Sequence, residues 1–169
     1  NYTPYKRNPE TGVRYWAIPG QEGYMHILGG LEKDRNTGAI STDPENHDLM
    51  CHLRAEKVAK IPVPDVEVQG CADDADLLIV GFGGTYGHLY SAMEEMNKAG
   101  KKVALAHFTY LNPLPKNTET VLKKYKKVVV AEQNLGQFAG YLRMKIDNFT
   151  PYQFNEVKGQ PVSYTHLRA

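Results

Sequence analysis

The chain has 169 residues, 20 Lys+Arg against 19 Asp+Glu, six His and two Cys. That length allows one domain with an appended segment, large enough to bury about two-thirds of its unfolded surface without staples. A formal net charge of +1 argues against nucleic acid or an anionic membrane as the main partner, and two thiols can build neither a disulfide framework nor a four-thiolate iron–sulfur site.

Residues 1–45 hold Pro4, Pro9, Pro19 and Pro44 among Gly12, Gly20, Gly23, Gly29, Gly30 and Gly38, with no sustained period. So long an irregular opening is expected of an arm or linker that lies on another part of a larger protein. A start at Asn1-Tyr2-Thr3 rather than at methionine suits the same expectation of a fragment. Thr42 and Glu45 have capping-box spacing and Pro44 suits a first helical turn, which predicts a helix to about Lys60 with Leu49, Met50, Leu53 and Val58 on its apolar side. The run Ile61-Pro62-Val63-Pro64 ends it, so residues 46–72 are expected to be helix and connector.

Regular alternation starts at residue 73. Residues 75–80 read as a buried strand, and Gly81-Phe82-Gly83-Gly84-Thr85 as a turn. Leu89, Met93 and Met96 recur at helical spacing until Gly100. A second strand is predicted over Val103–Phe108, and a helix over Thr118–Lys124 with Val121, Leu122 and Tyr125 inward. A third strand covers 128–131, a last helix is lined by Leu135, Ala139, Leu142 and Ile146, and a weak fourth strand covers 152–157. Strands and helices that alternate through short connections predict a three-layer α/β/α domain with a mostly parallel sheet over 73–161. The longest apolar run falls far short of the roughly 20 residues of a membrane helix, no signal peptide is expected, and sparse cysteine suits the cytoplasm.

Charge is uneven along the chain. Residues 31–76 carry eleven acids and five bases, whereas 101–127 carry seven lysines and one acid, Glu119. Solvated faces explain this, or a docking polarity toward partner subunits.

Three features could carry chemistry. The Gly81–Gly87 stretch could present amides to a phosphate, but Tyr86 stands where G-x-G-x-x-G needs its last glycine, and no carboxylate follows the second strand at His107-Phe108-Thr109. A tight turn with close helix packing explains it better. His47 and Cys51 lie four apart on the predicted helix with His52 adjacent, yet no third ligand completes a metal site. Glu132-Gln133-Asn134-Leu135-Gly136-Gln137 follows the third strand, at the edge where ligands and partners of open α/β sheets gather; helix capping accounts for it equally well. No nucleophile–base constellation can be assembled from spacing.

Several motifs occur together in an order shared with one family: Gly29-Gly30-Leu31-Glu32-Lys33-Asp34, Asp43-Pro44-Glu45-Asn46-His47, Arg54-Ala55-Glu56-Lys57-Val58, Gly83-Gly84-Thr85-Tyr86-Gly87, Leu111-Asn112-Pro113-Leu114-Pro115, Glu132-Gln133-Asn134-Leu135-Gly136-Gln137 and Lys158-Gly159-Gln160-Pro161. Over about residues 12–161 the chain resembles the C-terminal part of the alpha subunit of the 2-oxoglutarate:ferredoxin oxidoreductases, within the 2-oxoacid:acceptor oxidoreductases. The resemblance implies a transketolase C-terminal-domain-like fold and oxidative decarboxylation of a 2-oxoacid with coenzyme A, which yields an acyl-CoA and reduced ferredoxin. It implies thiamine diphosphate, magnesium and an iron–sulfur cluster in the assembled enzyme, held by the beta subunit and by the alpha subunit's N-terminal domain. No catalytic, cofactor or metal residue is then expected here. Gly83, Gly84, Thr85, Glu132, Asn134, Gly136 and Gln137 would form a strand-end edge that faces the catalytic domains. Lys33 stands where the family often has histidine, so that residue's role does not transfer. Residues 162–169 do not resemble the family's ending and are expected to be a non-native tail. The alternatives are a stand-alone Rossmann-like nucleotide module, or the C-terminal domain of a dehydrogenase that feeds lipoamide.

Overall fold

A strand that is apolar at every position is buried on both faces, and such strands form the centre of this protein. The computed structural model describes residues 2–27 and 29–158. The chain folds as two units, one up to Pro62 and one from Val63 onward. The proposed tail at 162–169 lies outside the described residues.

The first unit is an irregular arm with one helix, α1 (Pro44–Ala59). Its turns are built by side chains. Asn8 Oδ1 accepts from the amides of Glu10 and Thr11, and Asp34 Oδ1 from those of Asn36 and Thr37. Asp43, and not Thr42, caps α1: its carboxylate accepts from Glu45 N at 3.2 Å and Asn46 N at 3.3 Å. Pro44 decides the shift, because a proline is best placed at the first helical position and Asp43 precedes it. Met50 is buried, with Leu49, Leu53 and Val58 half-buried. Asn46, also buried, accepts from Arg35 N at 3.1 Å and donates to Lys33 O at 3.1 Å, which fastens the arm to the helix.

The second unit runs β1 (Val68–Gly70), β2 (Leu77–Phe82), a 3-10 turn (Gly83–Thr85), α2 (Tyr86–Lys98), β3 (Val103–Phe108), α3 (Thr118–Lys124), β4 (Val128–Glu132), α4 (Gln137–Lys145) and β5 (Tyr152–Asn155). The sheet order is β1-β3-β2-β4-β5, parallel except for β1, which pairs antiparallel with β3. Side chains alternate across it. Leu78, Val80, Ala104, Ala106, Phe108, Val128 and Val130 pack against α3 and α4 through Leu122, Phe138, Ala139 and Leu142. Ile79, Val103, Leu105 and Ala131 face Leu89 and Met93 of α2. Helices thus cover both faces of a mostly parallel sheet, as the alternating pattern predicts.

Further details differ from the sequence-based expectation, among them β5, which ends at Asn155 rather than 157. The connector after α1 contains β1, whose three residues are too few to show a period. Strand β2 starts two residues later than predicted and continues through Gly81 and Phe82. Gly81 is strand rather than turn because an added Cβ would collide with Leu89 Cδ1, so its missing side chain admits α2 close to the sheet. Helix α4 starts at Gln137, which leaves Leu135 at 83% exposure. Phe138 takes the inward position instead, and α4 keeps Ala139, Leu142 and Ile146 buried. No described helix is long and apolar enough to cross a membrane.

Candidate functional site

In an open α/β sheet, ligands and partners sit where neighbouring strands send their connections to opposite faces. Here that place lies between β2 and β4, since α2 leaves onto one face and α4 onto the other. The topology thereby brings the two sequence-predicted motifs together, Gly83, Gly84 and Thr85 after β2, and Glu132, Asn134, Gly136 and Gln137 after β4. The Phe82 ring meets the Phe138 ring edge-on at 5.1 Å, which joins the end of β2 to the first turn of α4.

The β4 side is closed by its own side chains. Glu132 is fully buried, and its two carboxylate oxygens accept from Phe138 N at 2.7 Å and Ala139 N at 2.9 Å. Asn134 Oδ1 accepts from Gly136 N at 2.7 Å and Gln137 N at 3.0 Å. Gln137 Oε1 in turn accepts from Leu135 N at 3.1 Å. The amides that a helix N-terminus would offer to a phosphate are therefore engaged within the chain. Gly136 has φ 97°, a left-handed backbone conformation that favours glycine. On the β2 side, Thr85 is buried and donates to Phe82 O at 2.8 Å, while Gly83 and Gly84 are exposed.

Sequence reasoning passed over His107, which it treated only as the place of a missing carboxylate. The ring lies at the end of β3, on the α2 face, edge-on to Tyr86 at 5.1 Å. Its Nε2 is buried without a partner among the described residues, and burial holds the ring's pKa below the ordinary histidine value. Beside it lies a cavity of about 280 Å³ lined by Asp65, Glu67, Gln69, Tyr86 and Tyr110 among others. The available signal was a single histidine in a strand that is otherwise apolar.

His47 and Cys51 do come together on α1, with Cys51 Sγ 3.8 Å from His47 Nε2. His47 Nδ1 is tied to Glu32 at 2.9 Å and the Arg54 guanidinium to the same carboxylate at 3.4 Å. The bond to His47 holds the Glu32 carboxyl below the usual carboxylate range. Among the described residues no group of three His, Cys, Asp or Glu is arranged to hold a metal ion. Cys51 and Cys71 are the two thiols, one in each unit, against the four that an iron–sulfur cluster takes. The residues present fit neither a cluster nor, with α4's amides engaged, a diphosphate at that helix.

Fold and strand ends together define a doubly wound α/β layer domain whose ligand-side edge is largely self-capped. Residues 75–166 match the family of pyruvate:ferredoxin oxidoreductase core domain II. The chain is 49% identical over 144 residues to the 2-oxoglutarate oxidoreductase subunit KorA of Mycobacterium tuberculosis, covering 85% of this chain and 22% of that protein. It is 30% identical over 142 residues to subunit alpha of 2-oxoacid:ferredoxin oxidoreductase 2 from Aeropyrum pernix, covering 80% and 22%. Among solved structures, the 2-oxoglutarate:ferredoxin oxidoreductase from Magnetococcus marinus, with 2-oxoglutarate, coenzyme A and succinyl-CoA bound, superposes with a TM-score of 0.82 at 29% identity, over 98% of this chain and 29% of that one. The chain belongs to the pyruvate:ferredoxin oxidoreductase core domain II family and corresponds to that domain in alpha subunits of the 2-oxoacid:ferredoxin oxidoreductases. It spans about a fifth of the length of the two curated relatives named.

Proposed function

We propose that this chain is a non-catalytic assembly segment of an alpha subunit, and that the complete enzyme oxidatively decarboxylates a 2-oxoacid, 2-oxoglutarate above all, with coenzyme A. The products are an acyl-CoA (succinyl-CoA from 2-oxoglutarate), carbon dioxide and reduced ferredoxin. The observation that carries the reading is the long stretch shared with the 2-oxoglutarate oxidoreductase subunit KorA, which runs well beyond the α/β domain alone. In the assembled enzyme, thiamine diphosphate, magnesium and an iron–sulfur cluster supply the chemistry from the beta subunit and from the alpha subunit's N-terminal domain. The chain's own residues hold the fold and offer surfaces.

In this reading Gly83, Gly84 and Thr85 form the open half of the strand-end edge, where exposed backbone meets the catalytic domains. Glu132, Asn134, Gly136 and Gln137 form the rigid half, because a fully satisfied helix start has one geometry. Residues 1–45 lie along the N-terminal domain of the same subunit. Residues 46–72 connect to the α/β domain at 73–161. The enzyme works in the cytoplasm, where its thiols stay reduced. The engaged amides of α4 favour this assembly role over a Rossmann-like nucleotide module.

Reconstitution tests it. A full-length alpha subunit that carries this segment, purified with its beta subunit, is expected to reduce a low-potential viologen with 2-oxoglutarate and coenzyme A. No turnover with any 2-oxoacid would refute the reading.

A further inference from the structure

The arm of the first unit gathers positive charge in a way that its own fold does not require. Arg7 and Arg14 face each other across an isolated antiparallel bridge, a geometry that puts both side chains on one side of the ribbon. Like charges directly opposite destabilise such a pair. Arg54 adds a third guanidinium close enough to repel Arg7, and partial burial together with Arg14 and Arg54 lowers the Arg7 pKa. Arg14 lies over the Tyr5 ring at 4.8 Å, and Arg7 donates to Gly12 O at 3.1 Å, so both are held in place rather than splayed into solvent.

Beside these groups is a cavity of about 410 Å³, within the range of small-molecule sites. Lys6, Arg7 and Arg35 line it with Tyr5, Thr3 and Asn36, and among the described residues no carboxylate lines it. The nearby acids already have partners, although the Asp34 carboxylate also acts on Arg35. Glu32 binds His47 and Arg54, and Asp34 accepts from Asn36 N, Thr37 N and the Thr37 hydroxyl. Three cations with neutral donors between them present more positive charge than one carboxylate neutralises. Guanidinium forks bind phosphate oxygens in pairs, and a lysine adds a point charge.

We infer that this cavity binds the phosphate or diphosphate group of a small phosphorylated molecule through Arg7, Arg35 and Lys6. Arg14 raises the local potential without lining the cavity, whereas Arg54 is paired with Glu32. The site lies within the first unit, and the inference stands independently of the oxidoreductase reading.

The test uses the full chain and pyrophosphate, followed by ³¹P NMR at low ionic strength. Saturable binding is expected, and it should weaken as salt is added. An R7Q/R35Q variant is expected to bind at least about tenfold more weakly, the equivalent of one lost charge-assisted bond. K6Q, at an exposed position where folding is not at stake, should weaken binding in the same direction. K126Q/K127Q removes two charges from the other unit and should leave the affinity unchanged. Absence of saturable pyrophosphate binding overturns the inference. So does an equal loss in K126Q/K127Q, which would mean diffuse attraction, or equal competition by citrate and pyrophosphate, which would assign the cavity to carboxylates. Coenzyme A and inorganic phosphate as further titrants separate a nucleotide-borne phosphate from the free ion, and binding of either supports the site.

Discussion

The two units treat apolar residues in opposite ways. From Val63 onward, Leu78, Val80, Leu105, Phe108, Val130 and Leu142 are all but sealed from water. Up to Pro62, Met50 is the one apolar side chain in the buried core among the described residues, while Trp16, Ile18, Met25 and Ile27 are 88%, 71%, 98% and 77% exposed. The difference teaches what holds each unit. A parallel sheet with helices on both faces is stabilised by area removed from water. The arm is shaped by side chains that satisfy its own turns, as Asn8, Asp34 and Asn46 do. Single exposed apolar residues are ordinary, but several within a dozen residues suit the proposed packing of this arm on another part of a larger protein.

Substitutions can break that comparison. The largest effect is expected in the core: Phe108→Ala should cost about 3–5 kcal/mol in urea denaturation, because the ring's packing against Phe138 leaves a void that a sheet cannot close. If the loss is under about 1 kcal/mol, the sheet is not the seat of stability claimed for it. Next comes Glu132→Ala, which strands two buried amides and should cost about 2–3 kcal/mol. Glu132→Gln, which keeps one acceptor, should recover part of that.

A smaller effect should come from pH. Burial lowers the His107 pKa, so the unfolded chain binds the proton more readily than the folded one. Stability should therefore hold above about pH 6.5 and decline as pH falls through the unfolded value toward the folded one. His107→Gln should flatten that slope, and an unchanged slope would remove His107 from the account. The smallest effect belongs to the arm. Trp16→Ser should change the stability of this chain by less than about 0.5 kcal/mol, yet weaken association of the full alpha subunit with its partners in analytical ultracentrifugation. A large stability loss would show that Trp16 packs against the chain itself.

Much of the α/β domain was legible in the residues. Runs such as Val103–Phe108 and Thr118–Lys124 are read correctly because period and flanking breakers agree there. Apart from β1, too short to show a period, the misreadings sit at element ends. Thr42 and Asp43 are both good caps, and only the position of Pro44 separates them. Leu135 and Phe138 are both apolar and three apart, so either could have faced the core. The strand-end motifs were visible as polar and glycine-rich letters, but capping and contact are the same letters to a sequence.

What the amino-acid order determined by itself was the succession of strands and helices, the family to which that succession belongs, and the irregular character of the arm. These are local properties: periodicity, breakers and motif spacing act within about a dozen residues. The tertiary structure decided the rest. It showed that Glu132 points at the amides of its own helix rather than outward, that His107 stands beside a cavity with Nε2 unpartnered among the described residues, and that Arg7, Arg14, Arg35 and Arg54, scattered over nearly fifty positions, belong to one positively charged region. Each of these depends on which distant groups share a neighbourhood. Charge and hydrogen-bond demand are settled by distance in space, and 169 residues in which acids and bases almost cancel conceal any local imbalance until the chain is folded.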